Sequence, residues 1–249
     1  MPRHLLERKL RRARTLNIAL GAVAIAGVLF AGFQWGAANT TSPSADAGDV
    51  SAAADSGSGA NAQAAVSHVR READDPMAIG AIDAPVVLSE WVDFRCPYCA
   101  VFSRDVFPQL VQEYVDAGKV RIEMHDVAFF GEESVRAAVA ARAAGEQGKY
   151  FEFLAAVYAA APEGGHPDLL PEELIEFAEI AGVPDLAQFK SDMQRDDLKA
   201  AVQQSTEQAQ QLGVTGVPFF AVGDQAFSGA QPLESFRDFL DQQPAQSGS

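Results

Sequence analysis

A pair of cysteines at a change of local pattern constrains the fold of this 249-residue chain more than any other feature. Residues 85–94 are rich in β-branched and aromatic side chains and predict a buried strand. Cys96 and Cys99, the only cysteines in the sequence, follow directly, and beyond them apolar residues recur at helical spacing up to Gly118. The sequence therefore predicts an α/β domain in which both sulfurs lie on the first turn of a helix.

The chemistry expected of these two thiols follows from their place on that turn. The unpaired N–H groups and the positive end of the helix dipole stabilise a thiolate, and Cys-x-x-Cys thiols in such settings have pKa values of roughly 3.5 to 7.5. We expect Cys96 to be the nucleophile and Cys99, one turn further in, to resolve a mixed disulfide. Pro97 would occupy an early helical position, where its missing N–H costs little.

Two other uses of the cysteine pair stay open. A structural disulfide that closes so short a loop would remove only about 2 kcal/mol of unfolded-state entropy, which makes it a poor staple. Half of a zinc site would need two more ligands, and His68, His125 and His166 are not paired at ligand spacing. We therefore predict thiol-disulfide exchange that uses neither a metal nor a cofactor.

The N-terminal segment predicts export of everything that follows it. Six basic residues lie within residues 1–15, and residues 16–35 are almost wholly apolar, long enough to cross the roughly 30 Å core of a bilayer. The positive-inside rule then places the N-terminus in the cytoplasm and the rest outside, as a single-pass protein of the cell membrane. A cleaved signal peptide, giving a secreted protein, and a buried helix of a soluble core are the alternatives.

The remaining chain divides by composition into three parts. Residues 36–75 are dominated by Ala, Ser, Gly, Asp and Asn and predict a disordered linker. Residues 76–243 predict the folded domain, and residues 244–249 a disordered tail. The net charge of −15, with the basic residues concentrated at the N-terminus, argues against binding to nucleic acid. Outside the cytoplasm a lone pair of cysteines normally forms a disulfide.

The order of elements in residues 76–243 is strand, helix, strand, helical block, hairpin and helix. A second strand is expected over residues 120–130, a helical block over 134–211, a hairpin with strands at 219–222 and 225–227, and a closing helix over 232–242. Ser134 and Asp185 are expected to cap helices in the block. A cis bond between Val217 and Pro218 would suit the start of the third strand.

This layout resembles the thioredoxin superfamily, and within it the DsbA-like branch, in which a helical block is inserted into a thioredoxin fold. The resemblance covers residues 76–243 and rests on the strand, the Cys96-Pro97-Tyr98-Cys99 motif, the block and the Gly216-Val217-Pro218 run. It implies that Val217 and Pro218 lie beside the cysteines and that the Val217 backbone binds a client strand. A valine there resembles the oxidases more than the isomerases.

Three acidic or aromatic positions near the motif need separate interpretation. The resemblance implies that Glu90 lies beneath the buried cysteine, where a desolvated carboxyl would relay the proton of Cys99; the alternative is an edge residue facing solvent. Asp93 is expected to be exposed or to cap a helix. Tyr98 stands where strongly oxidising members carry His, and it adds no positive charge beside Cys96, so the disulfide should be less oxidising.

The function implied is an extracytoplasmic thiol-disulfide oxidoreductase that acts chiefly as an oxidase. Its partners would be exported cysteine-containing proteins and a membrane redox partner that re-oxidises the cysteine pair, and residues 16–35 would contact the membrane. The alternatives are a reductase or isomerase, and a tethered binding module whose disulfide is not catalytic.

Overall fold

The computed structural model describes residues 68–244. The predicted spanning segment, residues 16–35, lies outside this range, as do most of the predicted linker and tail. Within residues 68–244 no helix is long and apolar enough to cross a membrane.

The described residues form one mixed five-stranded sheet with the order β1-β3-β2-β4-β5. The strands are β1 (Ala78–Ile79), β2 (Val86–Val92), β3 (Val120–Asp126), β4 (Phe219–Val222) and β5 (Gln225–Ser228). Strand β2 pairs in parallel with β3 and antiparallel with β4, and β1 and β5 add antiparallel edges. Every residue of β2 is buried, because the strand has a neighbour on each side and is covered on both faces.

The helices surround this sheet, and a block of them separates β3 from β4. They are α1 (Pro97–Asp105), α2 (Phe107–Leu110), a π-helical turn (Val111–Val115), α3 (Glu132–Gly145), α4 (Tyr150–Ala160), α5 (Pro171–Ile180), α6 (Leu186–Asp192), α7 (Asp196–Gln211) and α8 (Leu233–Asp241). The predicted order of strands and helices, including the inserted block α3–α7, is confirmed.

Of three local predictions, two need correction and one is confirmed. The helix expected to continue from Cys96 breaks after Asp105, because Pro108 has no N–H to donate to the previous turn. Ser134 does not cap α3, which begins at Glu132 after Gly131. Asp185 does cap its helix, since its side chain accepts a hydrogen bond from the Gln188 N–H at 2.9 Å.

Ordered contacts with the sheet begin earlier than the predicted domain boundary at residue 76. The backbone N–H groups of Arg70 and Arg71 donate to the buried carboxylate of Glu123 at 2.8 and 2.9 Å. Residues 68–75 had been assigned to the linker because they contain few large apolar side chains. They attach to the domain through hydrogen bonds, which a composition argument does not detect.

The core lies mainly on one face of the sheet and contains the cysteines. Phe102 of α1 packs on Phe220 of β4 and Phe236 of α8, with ring centroids 4.7 and 5.0 Å apart. A smaller cluster that includes Trp91 lies on the opposite face. Side chains of a strand alternate between faces, so Glu90 points to the main core with its neighbours two residues away, Leu88 and Val92. The aromatic side chains of α4 are buried, apart from the partly buried Phe151.

Candidate active site

The Cys-Pro-Tyr-Cys turn joins the end of β2 to the start of α1. Cys96 is the N-cap of α1 and Pro97 its first residue. The Cys99 N–H donates to Cys96 Sγ at 3.4 Å, and the Cys96 thiol donates to the backbone carbonyl of Val217, also at 3.4 Å. The Val217–Pro218 bond is cis, as predicted, and both thiols are free and buried. The structure thus brings four of the predicted site residues, Cys96, Cys99, Val217 and Pro218, into one cluster.

The two thiols differ in how readily they ionise. The hydrogen bond from the Cys99 thiol, helped by the backbone N–H groups of Cys99 and Tyr98, lowers the pKa of Cys96 against the opposing effects of burial and of the Asp93 charge. Burial, followed by the interaction with Cys96, raises the pKa of Cys99 well above its ordinary value. With both cysteines reduced, one proton is therefore held on Cys99 while Cys96 is the better thiolate.

Of the side chains next to the cysteines, one is exposed, Tyr98, and one is held in place by hydrogen bonds, Arg95. Tyr98 is 65% exposed, which leaves its ring at the protein surface next to the cysteines. The Arg95 guanidinium turns away from Cys96 and donates to the backbone carbonyls of Pro167 at 2.6 Å and His166 at 3.1 Å. It also pairs with Glu133 at 3.2 Å. This arginine therefore attaches the loop before α5 to the active-site turn.

Glu90 is a buried carboxyl on the central strand, β2. It is only 2% exposed, and its Oε2 atom has no hydrogen-bond partner among the described residues. Burial raises the pKa of this carboxyl well above its ordinary value, and its charge contributes to the raised pKa of Cys99. The interpretation of Glu90 as a solvent-facing edge residue is wrong, because β2 is the central strand.

Asp93 was not recognised from the sequence as part of the site. Its side chain is fully buried rather than exposed, and its carboxylate accepts hydrogen bonds from Arg95, Phe129, Phe130 and Ser134. The available signal was its position three residues before Cys96, at the end of a strand.

Of the three histidines considered as zinc ligands, His68 and His125 lie together beside Trp91, whereas His166 lies elsewhere. His68 contacts Ser89, His125 stacks on Trp91 with ring centroids 4.8 Å apart, and His166 stacks on Phe130. A cavity of about 390 Å³ is lined by His68, Trp91 and His125, on the face of the sheet away from the main core. Neither cysteine lines it, so this cavity is not where the sulfur chemistry takes place.

Comparison with known proteins agrees with this geometry. Residues 72–242 match the family model described as thioredoxin. A probable disulfide bond formation protein D from Bacillus cereus is 32% identical over 145 residues, 57% of this chain and 67% of that protein. The crystal structure of oxidised BdbD from Bacillus subtilis superposes with a TM-score of 0.62 at 22% identity, over 68% of this chain and 92% of that one. A thioredoxin-like oxidoreductase from Silicibacter pomeroyi gives 0.57 at 31% identity, over 69% and 92%.

Proposed function

Since the chain belongs to the thioredoxin family, as a DsbA-like thiol-disulfide oxidoreductase, we propose that it oxidises exported proteins through Cys96 and Cys99. The observation that supports this most directly is the inequality of the two thiols. Cys96 lies against the Val217 carbonyl with a lowered pKa, whereas Cys99 is completely enclosed with a raised one. A structural disulfide has no need of such a difference.

In the oxidising direction the Cys96–Cys99 disulfide accepts two electrons from a client dithiol. A client thiolate attacks Cys96 Sγ, a mixed disulfide forms, and Cys99 leaves as a thiolate. A second client thiolate then attacks the client sulfur of that mixed disulfide, and Cys96 leaves. The client gains a disulfide and the enzyme is left as a dithiol.

The proton that Cys99 needs on leaving would come from Glu90. Burial keeps this carboxyl protonated at a pH where an exposed glutamate is ionised, so it is a proton donor when the disulfide opens. In the return reaction, when the dithiol is re-oxidised, the Glu90 carboxylate would take the proton back from Cys99.

The Val217 and Pro218 loop would hold the client beside the reacting sulfur. The Val217 carbonyl faces Cys96 Sγ at 3.4 Å, so a client strand that pairs with this backbone would bring its own sulfur to Cys96. The backbone atoms of Val217 make no demand on client sequence, which suits an enzyme that acts on many exported proteins.

The cellular setting belongs to the same proposal. Residues 16–35 would anchor the protein in the cell membrane with its N-terminus in the cytoplasm, and a membrane redox partner would re-oxidise the cysteine pair. Relatives are described as disulfide bond formation proteins, in line with an oxidase. A reductase or isomerase is the second candidate, because the neutral Tyr98 adds no charge to favour the Cys96 thiolate.

The test compares oxidation of reduced ribonuclease and reduction of insulin by the wild type, Cys96→Ser and Cys99→Ser. We expect the wild type to oxidise ribonuclease, Cys96→Ser to be inactive, and Cys99→Ser to accumulate mixed disulfides at Cys96. Oxidation that survives Cys96→Ser would refute the mechanism. Strong insulin reduction without oxidation would favour the reductase, and a wild type inactive in both assays would favour the binding module.

A further inference from the structure

Asp93 connects the active-site turn to other elements through both its side chain and its main chain. Its Oδ1 accepts from the Arg95 N–H at 2.9 Å and the Ser134 hydroxyl at 2.8 Å, and its Oδ2 accepts from the N–H groups of Phe129 and Phe130 at 2.8 and 3.3 Å. The side chain thereby attaches the Cys-Pro-Tyr-Cys turn to the loop between β3 and α3.

The main chain of Asp93 adds two more attachments. Its carbonyl accepts from the Cys96 N–H at 2.9 Å and from the Tyr158 hydroxyl of α4 at 3.1 Å. The turn that carries the nucleophile is therefore fixed from β2, the β3–α3 loop and α4 through one residue.

The four contacts of the side chain suit an ionised carboxylate. An ionised carboxyl is an acceptor only; three of the four partners are backbone N–H groups, which can only donate, and the Ser134 hydroxyl can donate as well. Burial raises the pKa of Asp93, and the four hydrogen bonds from Arg95, Ser134, Phe129 and Phe130 act against that rise. The residue thus places a negative charge beside the turn in spite of its complete burial.

That charge opposes the effect of the helix on Cys96. The hydrogen bond from the Cys99 thiol and the N–H groups at the start of α1 lower the pKa of Cys96, whereas burial and, to a smaller extent, the Asp93 charge raise it. The Asp93 charge also raises the pKa of Tyr158 of α4, and a backbone hydrogen bond with Asp93 lowers the pKa of Cys99. The guanidinium of Arg95 pairs with Glu133 and donates to carbonyls of the loop before α5 rather than to the Asp93 carboxylate.

We propose that Asp93 is a positioning residue for disulfide exchange whose negative charge disfavours the Cys96 thiolate and so keeps the Cys96–Cys99 disulfide less oxidising than the helix alone would make it. The inference rests on the proposed function only in taking Cys96 as the reacting sulfur. A strongly ionised Cys96 stabilises the dithiol and makes the disulfide a stronger oxidant, and Asp93 acts in the opposite direction.

The experiment measures the Cys96 pKa from thiolate absorbance and the equilibrium constant with glutathione for the full chain. Asp93→Asn removes the charge and keeps one acceptor oxygen. We expect its Cys96 pKa to fall and its equilibrium with glutathione to shift toward the dithiol by roughly three- to tenfold. Asp93→Ser, a smaller neutral variant, should shift both quantities in the same direction and serves if Asp93→Asn does not fold.

Ser134→Ala is the matched control, because it removes one hydrogen bond to Asp93 and leaves the charge in place. We expect it to shift the glutathione equilibrium much less than Asp93→Asn does. The inference is overturned if the neutral variants leave the Cys96 pKa unchanged or raise it, or if Ser134→Ala reproduces their effect. Neither measurement requires a client protein, so a failure here is distinct from a wild type that does not oxidise ribonuclease.

Discussion

Replacing Glu90 with glutamine should change the pH dependence of stability in a calculable way. In the unfolded chain a glutamate ionises near about pH 4.3, whereas burial keeps Glu90 protonated to a higher pH in the folded protein. Between the unfolded-state and the folded-state pKa, Glu90 is protonated in the folded protein and ionised in the unfolded chain. Unfolding then releases a proton, so rising pH favours the unfolded chain. Glu90→Gln has no such proton to release.

The stability difference between Glu90→Gln and the wild type should depend on pH, so its size is given as a slope. The stability of Glu90→Gln relative to the wild type should rise by about 1.4 kcal/mol for each pH unit above about 4.3, until Glu90 ionises in the folded protein. A constant offset of either sign, of about 1–3 kcal/mol, is added because the buried amide also lacks partners. The pH at which the slope ends gives the folded-state pKa of Glu90.

The assay is urea unfolding of both proteins, fully reduced, at intervals between about pH 5 and about pH 8. Glu179→Gln is the control: Glu179 is exposed on α5, and its replacement should change the unfolding free energy by less than about 0.5 kcal/mol at every pH. A pH-independent difference between wild type and Glu90→Gln would show that Glu90 is ionised throughout. The proposed proton transfer to Cys99 would then have no donor.

Two further predictions concern the redox potential and the helical block. Tyr98→His adds a titratable cation beside Cys96 and should raise the reduction potential of the disulfide. The rise should be about 30 mV for every 1.4 kcal/mol by which the new side chain stabilises the dithiol. An unchanged potential in a glutathione titration would contradict this. Asp126→Asn removes the partner of Arg142, whose guanidinium pairs with it at 2.5 Å in the interior, and should lower the unfolding free energy by about 3–5 kcal/mol in urea. Glu152→Gln, which breaks an exposed pair, should cost about 1 kcal/mol or less.

The order of elements could be predicted because strand and helix periodicities are local properties of the chain. The errors arose where a non-local or single-residue effect decided the outcome. Strand β1 has only two residues, Ala78 and Ile79, which is too short to give a pattern. Pro108 is visible in the sequence, but the apolar spacing continues across it and hides the break between α1 and α2. Residues 68–75 bind the sheet through polar contacts.

The same difference between local and non-local effects explains why Cys96 and Cys99 could be predicted as site residues and Asp93 could not. Cys96 and Cys99 were found because their spacing and their place after a strand lie within one short segment. The partners of Asp93 at Phe129, Phe130 and Ser134 come from the β3–α3 loop and the first turn of α3, 36 to 41 residues further on, so no local pattern indicates them. The position of Glu90 stayed undecided because all of β2 is buried, and such a strand shows no alternation between polar and apolar residues.

Different features of the active site determine which sulfur a client attacks and how strongly the Cys96–Cys99 disulfide oxidises. In the proposed mechanism Cys96 would meet a client because it faces the Val217 carbonyl, while Cys99 is fully enclosed, and neither property depends on charge. The potential depends instead on how well the turn stabilises a thiolate, to which the N–H groups of α1 contribute in one direction and Asp93 in the other. Changes at Tyr98 or Asp93 should therefore alter the equilibrium with glutathione while Cys96 stays the site of mixed-disulfide formation. A neutral Asp93 variant that formed its mixed disulfides at Cys99 would show that the two properties are not separable.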